Sequence, residues 1–218
     1  MKKIAIFDLD GTLVNSIYDL ADSVNAALRM WDLPCHSTDS YYTFVGNGME
    51  HLVRTAMGDK GSDDALYSQV RADFDRIYAE HCNDKTCAYD GLEDVLSKLE
   101  SAGVDTAVLS NKAHVYVGDI LKKNFPHHAF SLAWGQQDGI KRKPDGEGVL
   151  RMLDALGYDQ SDCVYIGDSN VDVLTAQNAG VDVIGVLWGF RSEEELREYG
   201  AHNIVSTPEQ LYNMIITL

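Results

Sequence analysis

Apolar and polar positions change rhythm twice along this chain. Near its start, Ile4-Ala5-Ile6-Phe7 is an unbroken apolar run, as in a strand buried on both faces of a parallel sheet. From about Tyr89 onward, apolar runs alternate with stretches of helical periodicity. They predict helices over 91–101, 113–124, 147–156 and 170–179, the last closed by Gly180. Strands are predicted between them, over 104–109, 129–134, 163–166 and 181–187. This alternation is that of an α/β protein with a doubly wound parallel sheet. In Thr207-Pro208-Glu209-Gln210, Thr207 is the expected N-cap of a last helix, with Pro208 in its first position and Gln210 completing a capping box.

Residues 14–86 do not share the rhythm. Leu20, Val24, Ala27, Leu28 and Trp31 recur at helical spacing, as do Leu52, Val53, Ala56 and Met57, and Leu66, Val70, Phe74, Ile77 and Tyr78. Such a length far exceeds an ordinary strand-to-helix connection, so an all-helical insert is expected, packed as a small bundle over the carboxyl edge of the sheet. The expected organisation is an α/β core over 1–13 and 87–218, with a helical cap over 14–86.

Composition narrows the function classes. With 218 residues, 45% of them hydrophobic, the chain can bury a full core. No stretch approaches the ~20 apolar residues of a membrane span, and Met1-Lys2-Lys3 runs into a core strand, so a cytoplasmic protein is expected. The 18 basic against 34 acidic residues, a formal charge of -16, argue against nucleic-acid or anionic-membrane partners. Cys35, Cys82, Cys87 and Cys163 show no C-x-x-C spacing and read as reduced structural thiols.

Chemistry-bearing residues gather where strands are predicted to end. Asp8 and Asp10 follow the first strand two apart, at the edge where parallel sheets bind ligands, although Asp10-Gly11 is equally a turn signal. Ser110-Asn111-Lys112 follows the strand ending at Leu109, where a hydroxyl, an amide and helix-start N–H groups suit phosphate oxygens; an ordinary N-cap is the alternative. Lys141-Arg142-Lys143-Pro144 is the densest basic cluster, with Pro144 at an expected helix start; it is either a neutralising loop or a solvated one. Asp168 and Asp172 follow the strand ending at Ile166, and Ser169-x-x-Asp172 is also a capping box. No G-x-x-x-x-G-K-[ST], G-x-S-x-G or H-E-x-x-H pattern competes.

In order, Asp8-Leu9-Asp10-Gly11-Thr12-Leu13, Ser110-Asn111-Lys112, Lys143-Pro144 and Gly167-Asp168-Ser169-Asn170-Val171-Asp172 resemble the four motifs of the haloacid dehalogenase superfamily over nearly the whole chain. The resemblance implies a phosphatase in which Asp8 is the nucleophile and Asp10 the general acid and base. Lys143, Ser110 and Asn111 would hold the phosphoryl oxygens, with Thr12 steadying the first loop or binding phosphate. It implies Mg²⁺ on Asp8, the Asp10 carbonyl and Asp168, a set that suits a hard cation, with Asp172 behind them. Many relatives carry a second proline where this chain has Gly146.

The segment 19–57 resembles the cap of phosphoglycolate phosphatases, and Gly46-Asn47-Gly48 is the expected substrate reader or else a plain helix-to-helix turn. A small phosphorylated metabolite is the expected ligand. Alternatives are a pyrophosphatase of the same family, or a mutase of the β-phosphoglucomutase type; those mutases carry a histidine where this chain has Leu20. Asp10 and Asp168 count against a dehalogenase, and the intact acidic and basic set counts against a non-enzymatic binding protein. His127-His128 reads as a solvated pair, His81 with Cys82 and Cys87 as packing, and Trp188-Gly189-Phe190-Arg191 as a structural loop near the site.

Overall fold

Alternate side chains of the first strand enter opposite cores, which explains why all four are apolar. Ile4 and Ile6 pack on one face of the sheet, Ala5 and Phe7 on the other. The computed structural model describes all residues, Met1–Leu218, in two units: Met1–Val14 with Ala88–Leu218, and Asn15–Cys87.

In chain order, β1 (Ile4–Phe7) and β2 (Val14–Asn15) lead into helices α1 (Ile17–Met30), α2 (Thr38–Phe44), α3 (Met49–Ala56) and α4 (Asp64–His81), followed by β3 (Cys87–Ala88). Then come α5 (Leu92–Ser101), β4 (Asp105–Ala113), α6 (His114–Asn124), β5 (Leu132–Gln136), α7 (Glu147–Leu156), β6 (Cys163–Gly167) and α8 (Asn170–Ala179). The chain closes with β7 (Asp182–Val186), α9 (Glu193–Glu198), β8 (Asn203–Val205) and α10 (Pro208–Thr217). No helix is long and apolar enough to cross a membrane.

Six strands form one parallel sheet in the order β5-β4-β1-β6-β7-β8, so the doubly wound α/β class expected from the alternation is the one observed. One face is covered by apolar residues of α5, α6 and α10, and the other by those of α7 and α8. Because all strands are parallel, the loops after β1, β5, β6 and β7 open on one edge.

Several boundaries differ from the sequence reading. β4 continues four residues past Leu109, so Ser110, Asn111 and Lys112 lie within an irregular strand and not at a helix start. β5 begins at Leu132, later than predicted, because Phe130 turns to pack edge-on against Phe125 and His128. Pro144 is not at a helix start, since α7 begins at Glu147. The Gln210 side chain accepts from the N–H of Ser206, one residue before the Thr207 cap, so the capping box is not closed. Unpredicted α9 carries one buried apolar residue, Leu196, among charges, which leaves no periodicity to read.

His128 is not solvated. It is half-buried, its Nε2 lies 2.7 Å from Thr106 Oγ1, and burial lowers its pKa. His81 is exposed and pairs with Asp84 at 2.8 Å instead of packing, and Cys87 is exposed while Cys82 is buried. Cys163 is buried in β6, where desolvation pushes its thiol up to about 12.

The Asn15–Cys87 unit is built on α1 and α4, where Val24 and Leu28 of one and Val70, Phe74 and Tyr78 of the other are buried and the Phe74 and Tyr78 rings stack at 5.2 Å. Gly46, Asn47 and Gly48 form the turn between α2 and α3, and both glycines have positive φ (122° and 85°). Buried Asp19 on α1 accepts the Lys85 N–H at 2.9 and 3.0 Å, and the Thr86 N–H and hydroxyl at 2.7 Å each. It ties the first helix of the unit to the segment after its last. Asp19→Ala orphans those donors and is expected to cost about 3 kcal/mol in chemical denaturation; a loss under about 1 kcal/mol would show the tie to be incidental.

Candidate active site

The chain leaves β1 with the Asp8 N–H still hydrogen-bonded to Ile166 O at 2.8 Å, so the ladder with β6 fixes the backbone that carries Asp8. The residue is 8% exposed. Lys143 Nζ lies 2.9 Å from Asp8 Oδ1 as an ion pair, and that oxygen has no further partner. Lys143 Nζ also reaches Asp172 Oδ1 at 2.7 Å and the Tyr165 hydroxyl at 3.1 Å. The hydroxyl in turn donates to Leu109 O at 3.0 Å.

Asn111 does not stand ready for phosphate oxygens. Its Oδ1 accepts the Lys143 N–H at 2.9 Å and its Nδ2 donates to Lys143 O at 3.1 Å, so the amide clamps the main chain that presents the lysine. Gly146 lies against the main chain at Asn178 and Ala179, too close for a Cβ. Asn178 Nδ2 donates to Pro144 O at 2.8 Å and completes the anchoring of the Lys143 loop.

Asp168, just past β6, is 1% exposed and accepts from Thr12 Oγ1 at 3.0 Å and from the Phe190 N–H at 2.7 Å. Thr12 thus acts on Asp168, and the expected structural loop after β7 supplies a donor to it. Trp188 Nε1 donates to Thr12 O at 3.0 Å and ties the two loops together. Gly11 has φ 88° and the space a Cβ would need is filled by the Asp168 carboxylate, so glycine is required there on both counts. Asp172, fully buried on the first turn of α8, takes the Ser169 N–H at 3.1 Å and hydroxyl at 2.6 Å in the expected capping box, while its other oxygen holds Lys143.

Two carboxylates, Asp8 and Asp172, therefore share one buried ammonium, and a third, Asp168, lies beside them. Burial pushes the Asp8 carboxyl up to about 7, helped by the Asp172 and Asp10 charges, with Lys143 only partly opposing them. Asp168 is pushed up to about 8, again by burial first and then by Asp172 and Asp8. Burial works against the Lys143 charge, but Asp172 and Asp8 outweigh it and hold the ammonium well above its ordinary value. Oxygens of Asp8, Asp168 and Asp172 lie within 4.8 Å of one another. An all-oxygen set short of positive charge, one member of which accepts no hydrogen bond, fits a divalent cation.

Asp10 is partnered separately. Lys112 Nζ lies 2.9 Å from its Oδ1, and the Lys112 side chain is wholly buried. The Ser110 hydroxyl accepts the Lys112 N–H at 3.2 Å. Sequence reasoning assigned no part to the Lys112 ammonium or to Tyr165. The available signals were a lysine beside an apolar strand and a tyrosine inside one, and both patterns are common on ordinary surfaces and in ordinary cores. Gly46, Asn47 and Gly48 belong to the helical unit.

A haloacid dehalogenase-like hydrolase family model matches residues 5–186. The chain is 33% identical over 203 residues to a phosphoglycolate phosphatase of Psychrobacter arcticus, covering 90% of this chain and 88% of that one. A phosphoglycolate phosphatase of Colwellia psychrerythraea is 30% identical over 204 residues, covering 91% and 90%. A crystal structure assigned as a phosphoglycolate phosphatase of Lactobacillus delbrueckii subsp. bulgaricus superposes with a TM-score of 0.91 at 32% identity, covering 99% of each chain. With the sheet, the paired aspartates and matches of this length, the chain belongs to the haloacid dehalogenase-like hydrolases.

Proposed function

We propose that this protein is a cytoplasmic, Mg²⁺-dependent phosphatase that hydrolyses 2-phosphoglycolate, a small phosphomonoester, through an aspartyl phosphate at Asp8. The observation that carries the reading is Asp8 beside the buried Lys143 ammonium, within a carboxylate cluster that one lysine does not neutralise. Substrate choice rests on similarity to the two curated relatives, both named phosphoglycolate phosphatase, and on the Gly46-Asn47-Gly48 turn as the substrate reader.

Bound Mg²⁺, held by Asp8, Asp168 and the Asp10 main-chain carbonyl, would supply Lewis-acid neutralisation of the phosphoryl oxygens. Asp8 attacks phosphorus through a carboxylate oxygen while the bond from phosphorus to the leaving oxygen breaks. Asp10, as general acid, gives that oxygen its proton, and the alcohol departs. Asp10, now a carboxylate, takes a proton from water as the water oxygen attacks phosphorus. The bond from phosphorus to Asp8 then breaks, inorganic phosphate leaves, and Asp8 is restored. Lys143 and Ser110 stabilise the equatorial oxygens, where most of the charge lies. Asn111 serves through the Lys143 main chain, and Thr12 and Asp172 serve by orienting Asp168 and Lys143.

Phosphate release from a panel of 2-phosphoglycolate, pyrophosphate, sugar phosphates and nucleotides tests both chemistry and substrate. The expected result is release fastest on 2-phosphoglycolate, abolished by EDTA, and reduced by about three orders of magnitude or more in Asp8→Asn. Undiminished turnover in Asp8→Asn would overturn the mechanism, and a clear preference for another ester would overturn the substrate.

A second expectation concerns stability. Asp8 and Asp168 have folded-state pKa values near 7 and 8, above their ordinary 3.8, so between these limits the folded protein holds protons that the unfolded chain has released. Their contribution therefore falls as pH rises from about 4 to 8. A cation that binds the ionised pair restores it. Thermal unfolding in EDTA and in Mg²⁺ should show the cation raising the midpoint strongly at pH 8.5 and little at pH 5. Equal stabilisation at both would contradict this account.

A further inference from the structure

We propose that Lys112 is the positioning residue for Asp10, an assignment that rests on reading Asp10 as the group that moves the leaving-group proton. Each aspartate of the first loop has its own buried lysine, delivered by a different part of the sheet edge. Asp8 faces Lys143 from the loop after β5, and Asp10 faces Lys112 from the end of β4. The Lys112 side chain is completely buried, and an ammonium is costly there unless it is paired. A lysine that merely filled space could be replaced by an apolar residue of similar volume with little loss.

The fold takes unusual care over this lysine. From Leu109 to Ala113, β4 advances four residues while its partner β5 advances two, from Trp134 to Gln136, so the strand bulges where Ser110, Asn111 and Lys112 lie. Bulges of this kind re-aim side chains beside sites. The Lys112 N–H is tied to Ser110 Oγ, and β5 closes against the bulge at Gly135, where a Cβ would strike Lys112 O and come within 2.8 Å of the His114 main chain. The Gly135 N–H also donates to His114 Nδ1 at 3.2 Å. The bulge is thereby held on both sides, and its lysine meets Asp10 Oδ1 at 2.9 Å. With that oxygen tied, the carboxylate plane cannot turn freely, and its orientation toward the leaving oxygen is set before substrate arrives. Misplacing a proton donor by about 1 Å is enough to cost roughly a hundredfold in rate.

The test is a double-mutant cycle of Lys112→Met and Asp10→Asn, with 2-phosphoglycolate, whose alkoxide leaving group needs a proton, and Mg²⁺ as the probe and released phosphate following the rates. Lys112→Met is expected to lower kcat by about a hundredfold, change KM by less than about threefold, and add less than about twofold to the loss in Asp10→Asn. Lys112→Arg, which keeps the charge, should recover at least about tenfold of that loss. Losses that multiply in the double variant, an unchanged kcat, or a loss confined to KM would overturn the assignment and leave the phosphatase reading intact. Full activity in Asp10→Asn would instead overturn that reading and this assignment with it. If Lys112→Met does not fold, Lys112→Gln, read in the same cycle, decides.

Discussion

The Lys143 ammonium, buried between Asp8 and Asp172, is the interaction on which the rest of this site depends. Three carboxylates at the end of an apolar sheet would repel one another strongly if ionised and unpaired. Lys143 offsets part of that cost, and each neighbouring element helps to hold it. Asn111 grips its main chain, Tyr165 receives its third contact, and Asn178 anchors the adjoining Pro144 carbonyl. Burial first, and then the charge Lys143 leaves unbalanced, raises Asp8 and Asp168, and the resulting cluster fits a divalent cation.

Single residues here serve structure and chemistry together. Asp172 caps α8 with one oxygen and holds Lys143 with the other, so the start of a helix and the charge of the site are set by one side chain. Thr12 receives the Trp188 indole on its carbonyl and gives its hydroxyl to Asp168, which couples the loops after β1, β6 and β7. Asn111 and Lys112 are neighbours in one bulge, yet the first fixes the lysine facing Asp8 and the second is the lysine facing Asp10. A site assembled this way resists piecemeal change, because most substitutions disturb a cap or a loop as well as a charge.

Similarity to phosphoglycolate phosphatases extends over both units of the chain, so the likeness is not confined to the α/β framework that many chemistries share. The helical unit has its own internal order, with Asp19 joining its first and last segments and two positive-φ glycines shaping the turn before α3.

Much was legible in the sequence because its signals are local. Apolar strands interleaved with periodic helices specify a doubly wound sheet, and carboxylates placed after buried strands mark its open edge. The Ser169 box and the Gly180 stop arise from backbone groups a few residues away, and both ends of α8 fall where expected. The pairings that the sequence left open depend on residues far apart in the chain. Asn111 meets Lys143 across 32 positions and Lys112 meets Asp10 across 102, and neither pairing leaves a trace in spacing or periodicity. The extension of β4 has no local signal for the same reason: polar residues inside a strand read as its end until a neighbouring strand, free of a Cβ at Gly135, comes close enough to pair with the residues past the bulge. Composition and pattern determined the elements and the edge at which chemistry gathers. Tertiary packing alone decided which lysine faces which aspartate, because burial makes each charge seek the nearest opposite one, whatever its place in the chain.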